Sequence, residues 1–364
     1  MIPVLYPALE RDFTTNGLGG LPHATSCFVP EERNTVGRYF LEMEYPVTGL
    51  HYSDLAPERI ILAAPAPGKR PQPFRIERIS RPINGIVSIE APHVSAQLQK
   101  ITTYGVESGT NIEGQLNTLL WRAGQLGQTT GFWLTTDITR EGVTTFNYPE
   151  PSSVADILLG KEGSVLDMLG GEYEFDGWHI ILHKKRGVDT GLEIRYGVNM
   201  TNIDAETDTG ELVTAVLPYW KGTSGGTEIV LVGDLCVSGN SSGYAYMRTI
   251  PLNVSDQFEL QDGETPTTAQ ITAAGRNFID NTDRTEIVTS IKVSYAQITS
   301  TIGERQIHLC DTVRVVYPDM RLSTTAKVVA TKYNVLLERY EEVTIGSIRK
   351  TVVDTIADLI KRGG

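Results

Sequence analysis

The chain is poor in the residues that most often announce chemistry. Its three cysteines, Cys27, Cys236 and Cys310, stand far apart in 364 residues. They form no C-x-x-C spacing and sit in no histidine cluster, which argues against a disulfide or zinc framework and leaves buried thiols as the expectation. Six histidines (His23, His51, His93, His179, His183 and His308) fall in no Ser- or Cys-centred motif, and neither G-x-S-x-G nor H-E-x-x-H occurs. No stretch approaches the ~20 consecutive apolar residues that span a bilayer, so no membrane segment is expected. The opening MIPVLYPALERDF has no basic segment leading into an apolar run, so no secretory signal is expected and the product is expected to be made in the cytoplasm. Positive charge is short too: 32 Lys and Arg stand against 44 Asp and Glu, a net of −12. Affinity for nucleic acid draws on Lys and Arg displacing counterions, so specific DNA binding is not expected. Solubility is the plain use of such a charge.

What the chain has is turn formers and β-branched residues. Gly 35, Pro 18, recurrent Thr and 40% apolar residues suit a multi-domain strand-and-turn protein with real cores. Tyr39, Leu41, Met43 and Tyr45 alternate with Phe40, Glu42 and Glu44, the period of a half-buried strand. Asn84-Gly85 between apolar runs predicts a hairpin turn with both residues at positive φ. Thr110 and Glu113 are spaced as a capping box ahead of a helix carrying Ile112, Leu116, Leu119 and Leu120. Short helices are expected at 153–159 and 163–169, and a hairpin around Asp176-Gly177. Strands are expected from Leu212 to Tyr219 and from Glu228 to Val232, then over Ile291–Tyr295, Val313–Tyr317 and Ala326–Val343. A helix is expected near Thr268–Phe278, and an amphipathic one over 349–364. The division that follows is a first β domain at 1–105, an α+β domain at 106–200, and a second β domain at 201–250 and 288–348. A small insertion at 251–287 and the terminal helix complete it. The fold class is α+β, mainly β.

Several patterns invite a chemical reading and each has a plainer one. Asn16-Gly17-Leu18-Gly19-Gly20 resembles a phosphate loop, but no Lys-Ser/Thr follows, and tight turns fit better. Gly160-Lys161 runs into Glu162, which excludes a P-loop. His179 and His183 share one face of a predicted strand, yet no third ligand is near, so exposed strand histidines are expected. Asp204, Glu206 and Asp208 suggest a calcium loop, but the glycine comes late and position 215 is alanine, so a polar turn fits better. The pairs Glu31-Glu32 and Glu341-Glu342 read as solvated charges. The four tryptophans, Trp121, Trp133, Trp178 and Trp220, read as core residues. No catalytic, cofactor-binding or metal-binding residue is nominated, and no enzymatic activity or cofactor is expected.

Long stretches resemble one family, the phage minor structural proteins, also called prophage endopeptidase tail or tail-associated lysin N-terminal proteins. They are MIPVLYPALERDFTTNGLGGL at the start, EERN at 31–34, LEMEYPVTGLHYSDL at 41–55 and QPFRIERISRPINGIVSIEAPHVSAQL at 72–98. LLGKEGSVLDMLGGEYEFDGWHIILHKKRGVDTGLEIRYGVNMTNI at 158–203, HLCDTVRVVYPDM at 308–320 and KVVATKYNVLLERYEEVTIG at 327–346 complete them. The resemblance implies a baseplate-hub-like fold with two β-barrel-like tube domains and α+β peripheral domains. It implies a structural hub at the tail tip, made in the bacterial host cytoplasm and located in the virion baseplate. It further implies a homotrimeric ring through which DNA passes. Implied partners are the distal tail or tail tube protein, the tape-measure protein, and a tip spike or a lytic or receptor-binding component. Many members carry a peptidase, lysozyme-like or receptor-binding region beyond the shared part, and this sequence ends at Gly364, so the enzymatic label is not expected to carry over. The competing expectations are a tail-associated peptidoglycan hydrolase and a host-glycan-binding adhesin.

Overall fold

A computed structural model describes the chain except for residues 81–83, 129–130, 161–162, 196–199, 211, 225–226, 259–263, 283–284, 286–287, 296–305, 318–321 and 350–364. The expected helix at 349–364 therefore lies almost wholly outside the described residues. Two compact units form. One comprises Met1–Ile203 with Lys292–Gly346, and the other is built within Asp204–Ile291.

The first unit begins with strands β1 (Val4–Tyr6), β2 (Gly19–Gly20), β3 (Ser26–Glu32), β4 (Phe40–Pro46), β5 (Ile60–Ala63), β6 (Gln72–Arg75), β7 (Arg78–Ile79) and β8 (Ile86–Pro92). The alternation read on β4 is a packing rule: Leu41, Met43 and Tyr45 lie opposite Ala91, Ile89 and Val87 of β8, and all six are buried. Glu42 and Glu44 point to solvent. Asn84 and Gly85 have φ of 55° and 78°, as a turn with two positive φ values requires. Before it, Ser80 N donates to Ser88 O at 2.8 Å. Of the glycines at 17–20, Gly17 lies in a turn, whereas Gly19 and Gly20 form strand β2. Gly17 sits at φ 56° with a Cβ site 2.5 Å from Leu5 O, and a Cβ on Gly19 would stand 2.2 Å from His51 Nε2.

The chain continues through β9 (Thr102–Gly109), α1 (Ile112–Gln125), β10 (Trp133–Thr136), β11 (Thr144–Ser153), α2 (Val154–Leu159), α3 (Val165–Leu169), β12 (Glu172–Asp176), β13 (His179–His183), β14 (Asp189–Arg195) and β15 (Met200–Asp208). Helix α1 buries Ile112, Leu116, Leu119, Leu120 and Ala123. Its cap is Asn111, whose Oδ1 accepts from Gly114 N at 3.0 Å, and not the Thr110–Glu113 box. Glu113 is engaged elsewhere, accepting from Thr136 N at 3.1 Å. Ser153 and Ser164 cap the two short helices, satisfying amide groups that a first turn leaves free. Asp204, Glu206 and Asp208 lie within strand β15; the expected polar turn is absent.

The second unit holds β16 (Ala215–Ser224), β17 (Thr227–Val232), β18 (Cys236–Val237), β19 (Thr249–Asn253) and α4 (Thr268–Asn281). Strand β16 pairs with all three others. Its apolar face and α4 enclose Val216, Trp220, Val254, Ile271 and Ile279. A capping box, Thr267 with Gln270, starts α4.

The first unit resumes with β20 (Val288–Tyr295), which crosses its boundary, then β21 (Thr312–Tyr317), β22 (Leu322–Asn334) and β23 (Arg339–Arg349). Late strands close on early ones: β22 pairs with β3, Ala330 to Asn334 against Glu32 to Phe28, and on its other side with β23. The resulting large sheet runs β15-β20-β23-β22-β3-β4-β8-β7. The class is mainly β within α+β.

Candidate functional site

The densest chemistry lies where three distant segments of the first unit meet, around β12. Period two puts Glu172, Glu174 and Asp176 on one face of this strand, and each meets a cation brought from elsewhere. Arg186 donates from Nη2 to Glu31 at 3.2 Å, from Nη1 to Tyr173 O at 2.9 Å, and from its backbone N to Glu172 Oε2 at 2.7 Å. The other Glu172 oxygen takes Lys327 Nζ at 2.7 Å and Arg33 Nη1 at 3.2 Å. Glu174 meets His183 Nε2 at 3.0 Å and Lys69 at 3.6 Å. Asp176 accepts from Arg70 at 2.6 Å and from Gln72 Nε2 at 2.7 Å. A cavity of about 260 Å³ opens beside this network, lined by Tyr39, Lys69, Glu174, Arg186 and His308 among others.

The electrostatics follow from burial and pairing. Burial alone would raise the Glu172 carboxyl, but the hydrogen bond and charge of Lys327, with the Arg186 N–H and Arg33, hold it below the usual range. Burial opposes ionisation of Glu174 as well, and Arg186, Lys69 and His183 outweigh it. Burial would lower Arg186, yet Glu31 and Glu174 raise it, so it stays charged. His308 is pushed down by burial and by Lys69, and its Nδ1 is buried without a partner among the described residues. Nearby, His93 is buried and stacked on Tyr39 at 4.3 Å; burial drives its ring down to about 3.

Such an arrangement joins segments. Glu172 and Glu174 are held ionised by their cations, and Asp176 is paired with Arg70, so each carboxylate on β12 is already matched. The thiols are unsuited to attack, since burial pushes Cys27 and Cys310 up to about 12 and a nucleophile needs the thiolate. Arg186 carries no local signal in the sequence, and Glu31 beside Glu32 reads there as a solvated charge. Glu31 is instead 11% exposed and paired with Arg186. Only the alternation of three acids along one strand hinted at the cluster.

The two strand histidines share a face as expected, but both are half-buried and engaged. His183 holds Glu174, while His179 bonds Thr135 Oγ1 at 2.8 Å and stacks on Trp133 at 4.9 Å. Among the described residues no three His, Cys, Asp or Glu side chains are grouped as metal ligands. The tryptophans divide. Trp178 and Trp220 are core, whereas Trp121 on α1 is 62% exposed and Trp133 on β10 is 51% exposed; these two are surface residues. Beside Trp133, the open edge of β10 is sealed by α1. Asn117 donates to Leu134 O at 2.7 Å and accepts from Leu134 N at 2.9 Å, while Glu113 takes Thr136 N.

The fold so assembled is that of phage tail proteins. It matches the crystal structure of prophage tail protein gp18 from Listeria monocytogenes with a TM-score of 0.61 and 17% identity, over 99% of both chains. It also matches the 43 kDa tail protein of prophage MuSo2 from Shewanella oneidensis, with a TM-score of 0.57 and 11% identity over 96% of this chain and 98% of that one. A tail protein from Neisseria meningitidis gives 0.58 and 10% over 97% and 98%. In sequence, residues 188–356 match the family described as prophage endopeptidase tail, in agreement with the resemblance read above. No curated protein matches.

Proposed function

We propose that the chain is a structural subunit of a phage or prophage tail, the hub at the tail tip, and that it has no peptidase activity of its own. The observation that carries this reading is the end-to-end likeness to tail proteins, 99% of one chain on 99% of another in the first case. The ion-paired junction supports a structural role, because it ties β3, β12 and β22 together and matches its own carboxylates with cations. In this reading three copies form a ring by heterologous contacts. The ring joins the tail tube or distal tail protein to a tip spike or to a lytic or receptor-binding component, near the tape-measure protein. The net charge of −12 favours passage of DNA without retention. Immunogold labelling of purified tails tests the location: label at the tip is expected, and label along the tube or at the head end would refute it.

One observation favours a second reading as an adhesin. The outer face of Trp133, braced by His179, is a flat apolar platform of the kind that sugar rings stack on. Binding to a bacterial glycan array that Trp133→Ala abolishes would support that reading; an array without hits would remove it. Cell-wall zymography addresses the hydrolase reading, and no clearing is expected.

A further inference from the structure

The second unit presents an unpaired strand edge that is apolar on one face, within an acidic module. Strand β17 pairs with β16 and with no other strand among the described residues. Leu231 faces α4 together with Trp220, so the alternation turns Val230 and Val232 the other way, and they are 49% and 48% exposed. Leu217 and Leu235 are exposed on the same unit. Proteins guard such edges with inward charge, proline, bulges or a covering element, and β10 in the first unit is guarded by Asn117 and Glu113. Strand β17 has no comparable cover among the described residues. The charge of the segment that builds this unit is one-sided. Residues 204–291 contain thirteen acidic and four basic side chains, nine of the chain's twelve net negative charges. Glu228 is exposed on the strand itself and Asp234 just beyond it.

We propose that β17 is a docking edge for an extended, basic segment of another protein, which adds as a strand with its apolar side chains over Val230 and Val232. Main-chain pairing at the edge supplies affinity and the alternate side chains supply choice. The module's negative charge selects a cationic strand, accelerates its approach and discourages a second copy of the same acidic unit. Nucleic acid is excluded by the same charge. The inference stands on the second unit alone and does not depend on the tail assignment.

The test uses the full chain and a fluorescein-labelled nine-residue peptide alternating Val with Lys and Thr, beside its counterpart with Glu for Lys. The cationic peptide is expected to bind, to lose affinity as salt rises, and to slow hydrogen exchange across 227–232. Val230→Lys with Val232→Lys is expected to weaken binding at least tenfold. If that pair fails to fold by circular dichroism, Val230→Thr with Val232→Thr keeps β propensity and removes the apolar face, and the same loss is expected. The proposal is overturned by absence of binding, by equal binding of the Glu peptide, by unchanged exchange at 227–232, or by indifference to the substitutions. Self-association that the same substitutions abolish would also overturn it, since the occupant would then be a second copy.

Discussion

Arg186 shows how much one side chain can carry when its partners are buried. It is 12% exposed and faces Glu31 and Glu174. Removing one member of such a group leaves charge uncompensated at a cost of about 3–5 kcal/mol. Arg186→Met is therefore expected to lower the unfolding free energy by that order, read in urea denaturation; an unchanged midpoint would show the network to be dispensable. His93 sets a pH dependence with a definite sign. Its ring is neutral in the fold down to about 3, whereas the unfolded chain protonates it near ~6.5. Unfolding takes up a proton between those values, so stability is full above about pH 6.5 and falls as pH drops toward 3, by roughly 5 kcal/mol at the limit. Glu172 and Glu174, held low by their cations, add loss in the same direction at more acidic pH. Thermal melts from pH 7 to 4 should show this, and His93→Gln should flatten the slope between pH 6.5 and 4.5.

At the scale of elements, two strand edges, β10 in the first unit and β17 in the second, are treated differently. The amide of Asn117 occupies both the N–H and the C=O of Leu134, as a neighbouring strand would. Asn117→Ala is expected to cost about 1–3 kcal/mol by leaving those groups unmatched, and to raise hydrogen exchange at 134–136 before the rest of the sheet. Uniform exchange would mean that the seal adds nothing. The starts of the four described α-helices are readable to within a residue or two, because apolar spacing and a nearby Ser, Thr or Asn are local signals. The choice between Thr110 and Asn111 was not local. It turned on Glu113 being drawn to β10, a strand some twenty residues on. The polar run at 204–208 misled for the same reason: acidic residues favour turns when isolated, and here they are held in a strand by pairing.

At the scale of the whole molecule, the first unit is closed by contacts of very long range, β22 against β3 and Arg33 and Lys327 on Glu172. Such a topology predicts slow, cooperative folding. Removal of residues 306–346 should therefore leave residues 1–203 without native stability, which limited proteolysis would reveal; a protease-resistant 1–203 fragment would contradict this. The proposed trimeric ring makes its own prediction. Tail particles dissociated gently should release the chain at three times its 40.0 kDa mass, as light scattering would report, and a strict monomer from assembled tails would refute the ring.

Local chemistry in the sequence determined strands such as β4 and β13, the short helices, the Asn84-Gly85 turn and the acidic character, since each depends on neighbours within a few residues. The long tail-protein stretches determined the fold expectation. Only tertiary structure decided that Glu31 is a buried ion-pair partner and not a solvated charge. It likewise decided that Trp121 and Trp133 face solvent while Trp178 and Trp220 do not, and that β10 is sealed while β17 is open. Burial and edge exposure belong to whichever segment folds back on a residue, and for these residues that segment lies tens to hundreds of positions away.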